Sequence, residues 1–338
     1  MFTAYHRIGE NRYQERFGLD FEDFAPGQRF RHRPGITLSQ QDNVDEALDT
    51  MNGAMLHYDA HYAAATAWQR PLMVSTLTLQ RLIGMASKTF GRRRALLGFD
   101  DIAMNGPLFG GDTLYAESEI LATDPADGTV RALIRGHKPD GTEVARITCR
   151  MAIERRESAV DPVLEDRFAA YHVVDDGAHV EQVGLWFEDC MAGESFVHAP
   201  RRSFYREESV SHAWRSLELA PQYHDLDWIT RNAGGRLRVP ETFLVAATTA
   251  LTTRTFGRVV ANLGWHDVQL PAPVFVGDTI EAESTILETR ASRSRPGEGI
   301  VAVATHARNQ DGEEVVSYRR TLLVYRRGAA APYGQAGY

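Results

Sequence analysis

The sequence predicts an α+β protein built from two copies of one unit. An internal repeat runs through the chain at a constant separation of 166 residues, so that Phe21 returns as Phe187. Each copy holds one apolar segment with helical spacing, followed by segments in which polar and apolar residues alternate, as is typical of antiparallel strands. One central helix followed by several strands indicates an α+β layout in each copy.

Several short motifs keep the same register. The triplet Phe-Glu-Asp occurs at 21–23 and at 187–189, and Phe-x-Gly-Asp-Thr begins at Phe109 and at Phe275. Ala-Glu-Ser then follows at 116–118 and at 282–284. We therefore predict an N-terminal unit over 1–154, a connector over 155–182 and a C-terminal unit over 183–338, the last serving structure and substrate binding. The halves are expected to pack side by side with continuous sheets.

Hydrophobic spacing assigns the elements of each copy. Ser39–Thr50 is polar and acidic and predicts a short helix, while Leu72–Lys88 is apolar on one face and predicts the central helix. The central helices are expected to begin near Pro71 and Pro240. The predicted strands are Gln28–Arg33, Thr113–Leu121, Val130–Lys138 and Glu143–Glu154 in the first copy, and Thr279–Thr289, Gly299–Arg308 and Glu314–Tyr325 in the second.

Composition narrows the class of protein. The 338 residues suffice for about two domains. A net charge of −8 without a basic block argues against nucleic acid or an anionic membrane as a partner. The triplet Arg92–Arg94 is interpreted as a solvated turn, with a phosphorylated ligand as the alternative.

Two cysteines, Cys149 and Cys190, make no disulfide or metal pattern. No signal peptide or long apolar segment occurs either, so we expect a cytoplasmic protein.

The stretch 52–75, NGAMLHYDAHYAAATAWQRPLMVS, is the densest in possible chemistry. His57 and Asp59 precede an alanine-rich run with helical spacing, and Arg70-Pro71 opens the central apolar segment. Imidazole suits proton transfer at neutral pH, although a histidine beside a helix is more often structural. The 166-residue separation places Tyr223 opposite His57, with His224 adjacent, and Asp225 opposite Asp59. A duplicated unit with one differing copy suggests one active site, which we assign to the first copy.

This stretch resembles the signature of the MaoC-like (R)-specific enoyl-CoA hydratases, Asp-x-Asn-Pro-(Ile/Leu)-His-x-Asp, followed by an alanine four residues later and by Pro-Ile-x-His-Gly. Asn52 stands where that family has its catalytic aspartate, and Ala54, Met55, Val74 and Ser75 also depart from the pattern. The matching residues are Leu56, His57, Asp59, Ala63 and Pro71.

The resemblance implies a hot-dog fold, in which an antiparallel sheet wraps a long helix, and the duplication implies a fused double hot-dog. It also implies a coenzyme A thioester as substrate, with no other cofactor and no metal. Within the family, a fused chain with this altered signature is most similar to the mesaconyl-CoA hydratases (β-methylmalyl-CoA dehydratases) and the itaconyl-CoA hydratases. The implied activity is hydration of an enoyl-CoA or dehydration of a 3-hydroxyacyl-CoA.

Hydration of an enoyl thioester requires a base for water, an acid for the α-carbon and donors for the thioester oxygen. His57 is the candidate base. Asn52 can hold the water but cannot accept its proton, so either His57 acts with Asn52 as water holder, or Asp49 or Asp59 replaces the missing carboxylate. Asn52-Gly53 is also a common turn dipeptide, and the two roles are compatible.

Substrate contacts are expected at the start of the central helix. The resemblance places the oxyanion donor at the Ser75 amide, after Val74, where a helix N-terminus favours negative charge. Branched dicarboxylic substrates carry a free carboxylate that an arginine can bind through two hydrogen bonds. Candidate arginines are Arg70, Arg81, Arg201 and Arg202.

Two other functions stay open. A hot-dog acyl-CoA thioesterase would direct water at the thioester carbonyl instead of the double bond. A non-catalytic acyl-CoA-binding protein would explain the loss of the aspartate. Further self-association into a homodimer or larger homo-oligomer is also expected, although the fused pair already makes the basic hot-dog dimer.

Overall fold

A computed structural model describes residues 1–156, 161–334 and 338. Six α-helices and fifteen strands lie in this part of the chain. The helices are α1 (Gln40–Asp49), α2 (Ala60–Ala64), α3 (Ser75–Met85), α4 (Arg206–Arg215), α5 (Leu226–Asn232) and α6 (Glu241–Leu251). The strands are β1 (Tyr5–Gly9), β2 (Arg12–Glu15), β3 (Arg29–Thr37), β4 (Arg93–Met104), β5 (Thr113–Asp124), β6 (Thr129–His137), β7 (Glu143–Ile153), β8 (Tyr171–Val173), β9 (His179–Glu181), β10 (Ser195–Val197), β11 (Arg202–Ser203), β12 (Val259–Gln269), β13 (Thr279–Ala291), β14 (Glu298–Arg308) and β15 (Glu314–Tyr325).

The strands form two sheets of matching order. The first runs β4-β7-β6-β5-β3-β9-β8, and the second runs β12-β15-β14-β13-β10-β2-β1, with β11 also paired to β13. All pairs are antiparallel except β3 with β9 and β10 with β2. Each sheet packs against one central helix, α3 or α6, so the predicted α+β double hot-dog is confirmed.

The two halves exchange their terminal hairpins. The hairpin β1-β2 precedes the first half in sequence but joins the second sheet, whereas β8-β9 joins the first. The repeat also extends into these hairpins, since Tyr5 returns as Tyr171 and Glu15 as Glu181. The equivalent residues Thr3 and Ala169 form an antiparallel bridge, which places them on the approximate two-fold axis. Residues 155–182, predicted to be a connector, therefore include the first strands of the second repeat.

The sheets are separate, in contrast to the predicted continuous sheet. The strands β4 and β12 lie at the outer edges of the two sheets, each paired on one side. Both expose large apolar side chains, including Phe99 and Trp265. Sequence analysis assigned no strand to either segment, because neither shows the alternation of a half-buried strand.

The central helices carry the core of each half. In α3, Leu77 and Leu82 are buried against the inner faces of β5, β6 and β7. Gly136 in β6 permits this close packing, because a Cβ at that position would lie 2.8 Å from a Leu82 methyl carbon. The helix α6 packs in the same way through Phe243 and Leu244.

The two central helices begin at equivalent positions of the repeat, but only one of the two predicted starts is correct. The helix α6 begins directly after Pro240, but α3 begins four residues after Pro71. Leu72 forms a bridge with Phe109, which holds the chain extended until Val74. Because Val74 is the residue that corresponds to Pro240, the repeat is in register and only the choice of Pro71 was wrong.

Buried polar clusters join each exchanged hairpin to its host sheet. Glu181 of β9 accepts a hydrogen bond from His32 of β3 at 2.9 Å and another from Thr89 at 2.9 Å. His32 also contacts Ser118 at 3.0 Å. The second half repeats the cluster with Glu15, His198, Thr255 and Ser284. Burial alone would raise the pKa of Glu181, but the charge and hydrogen bond of His32, with help from Lys88, hold this pKa below its usual value.

Glu181→Gln is expected to lower the free energy of unfolding at pH 7 by about 3 kcal/mol, because it removes a buried carboxylate and leaves the side chains that donate to it unmatched. A carboxylate whose pKa is lower in the folded than in the unfolded protein stabilises the fold at pH values above the usual glutamate pKa. This stabilisation is lost as the pH falls below the usual value and through the folded pKa. The wild-type and Glu181→Gln stabilities should therefore converge as the pH falls from about 5 to 3 in urea titrations.

Glu10→Gln makes the same chemical change at an exposed site and serves as the control. Equal stability losses in the two variants, or curves that stay parallel in acid, would contradict the role assigned to Glu181.

Candidate active site

His57 lies in a single turn of 3₁₀ helix, Met55–His57, between α1 and α2. Its Nδ1 is 2.7 Å from the carbonyl oxygen of Leu72, and its side chain is half-buried. A carbonyl oxygen can only accept, so Nδ1 donates, and the lone pair of a neutral ring then lies on Nε2. This bond leaves Nε2 as the nitrogen that can take a proton.

The first turn of α3 follows directly on this contact. Val74 is the N-cap residue and Ser75 the first helical residue, and no side chain caps the helix end. The leading amides of a helix have no partner within it and point outward along the axis, where they favour an anion or a polarised oxygen. Ser75 is an exposed residue. The predicted base and the predicted donor thus lie on adjoining segments.

Asn43 and Gln40 of α1 join these segments, and sequence analysis did not select either. Asn43 Nδ2 donates to the carbonyl oxygens of His57 (2.7 Å) and Leu72 (3.0 Å), and its Oδ1 accepts from the Val74 amide (2.8 Å). Gln40 Nε2 donates to the His57 carbonyl at 2.7 Å. The available signal was a polar residue one turn before Ala47 on the buried side of α1.

Asn52 lies in the turn after α1. Its Oδ1 accepts from the Ala54 amide at 3.0 Å, and the side chain is half-buried. The turn interpretation of Asn52-Gly53 is therefore seen directly. Its role as a water holder stays a prediction, because the carbonyl oxygen keeps a second lone pair and the amide group keeps its donors.

Asp59 is the N-cap of α2 and accepts from the Tyr62 amide at 3.0 Å. Asp225 does the same for α5, with the Trp228 amide at 3.0 Å. A contact present in both copies has a structural explanation, namely capping. A catalytic role for Asp59 is an additional, untested prediction.

A different carboxylate lies beside the start of α3. Glu46 Oε1 accepts from the Thr76 hydroxyl at 3.1 Å and from Gln80 Nε2 at 2.9 Å. Sequence analysis named Asp49 and Asp59 as possible replacements for the missing aspartate, and Asp49 is exposed at the end of α1. Glu46 was missed because only contact with α3 distinguishes it from the other acidic residues of α1.

The candidate arginines differ in their contacts. The guanidinium of Arg70 lies 3.8 Å from the centre of the Phe109 ring, and Arg236 lies 3.7 Å from the Phe275 ring in the second copy. Arg81 contacts Asp42 at 3.2 Å. Arg202 pairs with Glu208 at 2.7 Å, and Arg201 is exposed. The triplet 92–94 is more than a turn, since Arg92 pairs with Asp20 at 2.6 Å and β4 begins at Arg93.

The second copy lacks the histidine and the serine of this arrangement. Tyr223 takes the position of His57 and donates a hydrogen bond to Glu241, which takes the position of Ser75. Burial, together with the Glu241 carboxylate, raises the pKa of Tyr223 to about 12. Tyr223 therefore stays protonated at neutral pH and cannot act as a base there.

A cavity of about 600 Å³ lies between the two halves. It is lined by the buried clusters around Glu15 and Glu181, with Lys88 and Arg254, and none of the predicted site residues lines it. The hydrogen-bonded imidazole suited to proton transfer lies outside this cavity, at His57.

Other classes of site are not supported in the described ranges. No group of three or more His, Cys, Asp or Glu there could hold a metal ion. Cys149 and Cys190 are free and buried, and burial raises their pKa values to about 11 and about 12, so neither is an activated nucleophile. None of the described helices has both the length and the apolar character to cross a membrane.

Comparison with known proteins gives three curated relatives, and the two described here have the lower and the higher sequence identity. A mesaconyl-CoA hydratase from Haloarcula hispanica is 31% identical over 163 residues, 48% of this chain and 46% of the relative. One from Cereibacter sphaeroides is 37% identical over 161 residues, 44% of this chain and 43% of the relative. The chain thus matches about half the length of these relatives.

Solved structures are similar over most of the chain at low identity. A putative MaoC domain protein dehydratase from Chloroflexus aurantiacus covers 92% of this chain and 98% of its own, with 20% identity and a TM-score of 0.42. A conserved hypothetical protein from Mycobacterium tuberculosis, described as having a double hotdog fold, covers 91% and 99%, with 22% identity and a TM-score of 0.37.

The family model for mesaconyl-CoA hydratase matches residues 165–337. The matched region is the second repeat, including the exchanged hairpin β8-β9, and it lacks His57. Since the match spans half of the sequence, the chain belongs to the mesaconyl-CoA hydratase family.

Proposed function

We propose that the protein is a hydro-lyase that adds water to, or removes it from, the double bond of an enoyl-CoA thioester. The proposed substrate is a branched dicarboxylic ester such as mesaconyl-CoA, the substrate in the names of its relatives. The observation that carries the proposal is the Nδ1 contact of His57 with the Leu72 carbonyl, which leaves Nε2 as a base next to the uncapped start of α3.

In the proposed hydration, His57 Nε2 takes a proton from water while the water oxygen bonds to C3 of the enoyl group. The electrons of the C2–C3 double bond move toward the thioester, and negative charge develops on its oxygen. Protonation at C2 completes the addition, and the imidazolium formed in the first step can supply that proton. Net consumption is one water, and dehydration is the reverse sequence.

The Ser75 amide is proposed as the donor to the thioester oxygen. It is the first amide of an eleven-residue helix, so the helix dipole adds to the hydrogen bond as charge develops. A backbone donor serves whatever the side chain, which explains how serine can replace the family's glycine. Val74 fixes the backbone just before this donor.

Arg70 is proposed to bind the substrate's free carboxylate. It lies on the segment leading to α3 and is exposed, so its guanidinium is accessible. Its packing on Phe109 orients the planar group and leaves N–H donors at the edge. The same packing at Arg236 supports a structural contribution as well.

We also propose that the protein is cytoplasmic and that it self-associates. The free, buried cysteines are compatible with a reducing compartment. The exposed apolar residues of β4 and β12 lie on unpaired sheet edges, which are the usual sites for pairing with another chain. A homodimer or larger homo-oligomer would cover them.

Incubation of the pure protein with a panel of enoyl-CoA and 3-hydroxyacyl-CoA esters, read by mass, tests the activity. We expect a change of one water in the ester, largest for branched dicarboxylic members, without release of free thiol. Thiol release would indicate a thioesterase, and tight binding without any mass change would indicate a non-catalytic acyl-CoA-binding protein.

His57→Ala is expected to lower kcat for hydration by about 10² or more, because the base is lost, while the melting temperature changes little. Tyr223→Phe in the second copy is the control and should retain most of the activity. Comparable losses in both variants would show that the second copy contributes to the site, and full activity in His57→Ala would exclude His57 as the base.

Asn52→Ala is expected to lower the hydration rate by about 10-fold to 10³-fold, whereas Asn52→Asp should retain activity, because either side chain can accept a hydrogen bond from water. Initial rates of the wild type and both variants on one ester check this. An inactive wild type with an active Asn52→Asp would indicate a pseudo-enzyme, and an unaffected Asn52→Ala would remove the residue from the site.

A further inference from the structure

We propose that Asn43 is the positioning residue of this site, which holds the His57 ring in its Nδ1–H form and fixes it relative to the first turn of α3. The expected effects on the reaction rate rest on the proposed function. The positioning of the His57 ring rests only on the contacts of Asn43.

The side chain of Asn43 is hydrogen-bonded at both its amide nitrogen and its amide oxygen. Its Nδ2 donates to the carbonyl oxygens of His57 and Leu72 and makes a longer contact of 3.4 Å with Gln40 Oε1, and its Oδ1 accepts from the Val74 amide. The residue has no solvent-exposed surface. Buried polar groups that are fully paired are rigid, because any rotation would leave a donor or acceptor unmatched.

These contacts act on His57 from two sides. Asn43 binds the residue's own carbonyl, which fixes the backbone, and also binds the Leu72 oxygen that accepts from Nδ1. The Leu72 oxygen therefore accepts from both Asn43 Nδ2 and His57 Nδ1. Asn43 thereby sets the direction in which Nε2 points, although it does not touch the reacting atoms.

The hydrogen bond from the Val74 amide also fixes the backbone at the start of α3. Val74 is the N-cap residue of α3, and Ser75, the proposed oxyanion donor, is next in the chain. One amide group thus binds the backbone of the base and the backbone of the donor. A shift of about 1 Å between such groups can cost about 10² in rate.

The second copy supports this role, because it lacks both the asparagine and the histidine. Ser209 replaces Asn43 and is buried, and its hydroxyl has no hydrogen-bond partner among the described residues. Pro240 replaces Val74 and lacks the N–H that Asn43 binds. Tyr223 replaces His57. An asparagine needed only for folding would have a use in both halves, but here it accompanies the histidine.

Asn43→Ser, which installs the residue of the second copy, is the main test. We expect kcat to fall about 10²-fold with KM changed less than about threefold, because alignment is lost while substrate contacts remain. In ¹⁵N-labelled protein, the long-range ¹H–¹⁵N spectrum of the His57 ring should change from a single Nδ1–H form to a mixture of both tautomers. Ser209→Ala is the matched control and should leave rate and spectrum unchanged.

Asn43→Asp is the second variant, because it keeps the shape and the acceptor for Val74 but replaces the two Nδ2 donors with a carboxylate oxygen. It should show the same loss of the single tautomer. An unchanged His57 spectrum in either folded variant would overturn the proposal. Loss of cooperative melting in both would overturn it too, since Asn43 would then be a folding residue.

The two readouts separate this inference from the proposed function. If the wild type hydrates no ester, the proposed function fails, but the ring spectrum still reports whether Asn43 holds His57. If the wild type is active and Asn43→Ser keeps both the rate and the spectrum, only the role of Asn43 fails.

Discussion

The hydrogen bond between Glu181 and His32, with its repeat between Glu15 and His198, is the contact on which the arrangement of the two halves depends. Each carboxylate sits on a hairpin that the other half supplies, and each lies in the core of its host. Withdrawing a hairpin would leave a histidine and a threonine without their carboxylate, at a cost of several kcal/mol. Because both hairpins are exchanged, neither half contains a complete set of its own buried partners.

The exchange also explains how the site is supported. The strand β3 lies between the incoming β9 and β5, and the chain leaving β3 enters α1 after a capping box at Ser39. From α1, Asn43 reaches His57 and the start of α3, which is held by its packing on β5 to β7. His57, the proposed base, lies in a short turn, while α1 and α3 on either side of it pack on the core. A half-buried group held between rigid elements suits the proposed role.

The sequence predicts those parts of the fold that have a local pattern. The alternation in β5, β6 and β7 and the apolar face of α3 could be found because each follows the period of a half-buried element. The edge strand β4 could not, since its apolar residues are exposed and do not alternate. Hairpin exchange has no local signal, because the parallel pair of β3 with β9 joins residues about 150 apart. His57 was found from its motif, whereas Asn43 resembles any polar residue of α1 until its three contacts are seen.

In the proposed arrangement, one copy of the duplicated unit keeps a site and the other serves structure. The changes in the second copy are mutually consistent: Pro240 lacks the amide hydrogen that an asparagine would bind, and the Ser209 hydroxyl has no hydrogen-bond partner among the described residues. Glu241, the first residue of α6, accepts a hydrogen bond from Tyr223, so a carboxyl side chain takes the position that Ser75 holds in α3. A carboxylate at this position would repel an oxygen that gains negative charge during the reaction. This difference at the first helical residue supports placing the proposed chemistry in the first half.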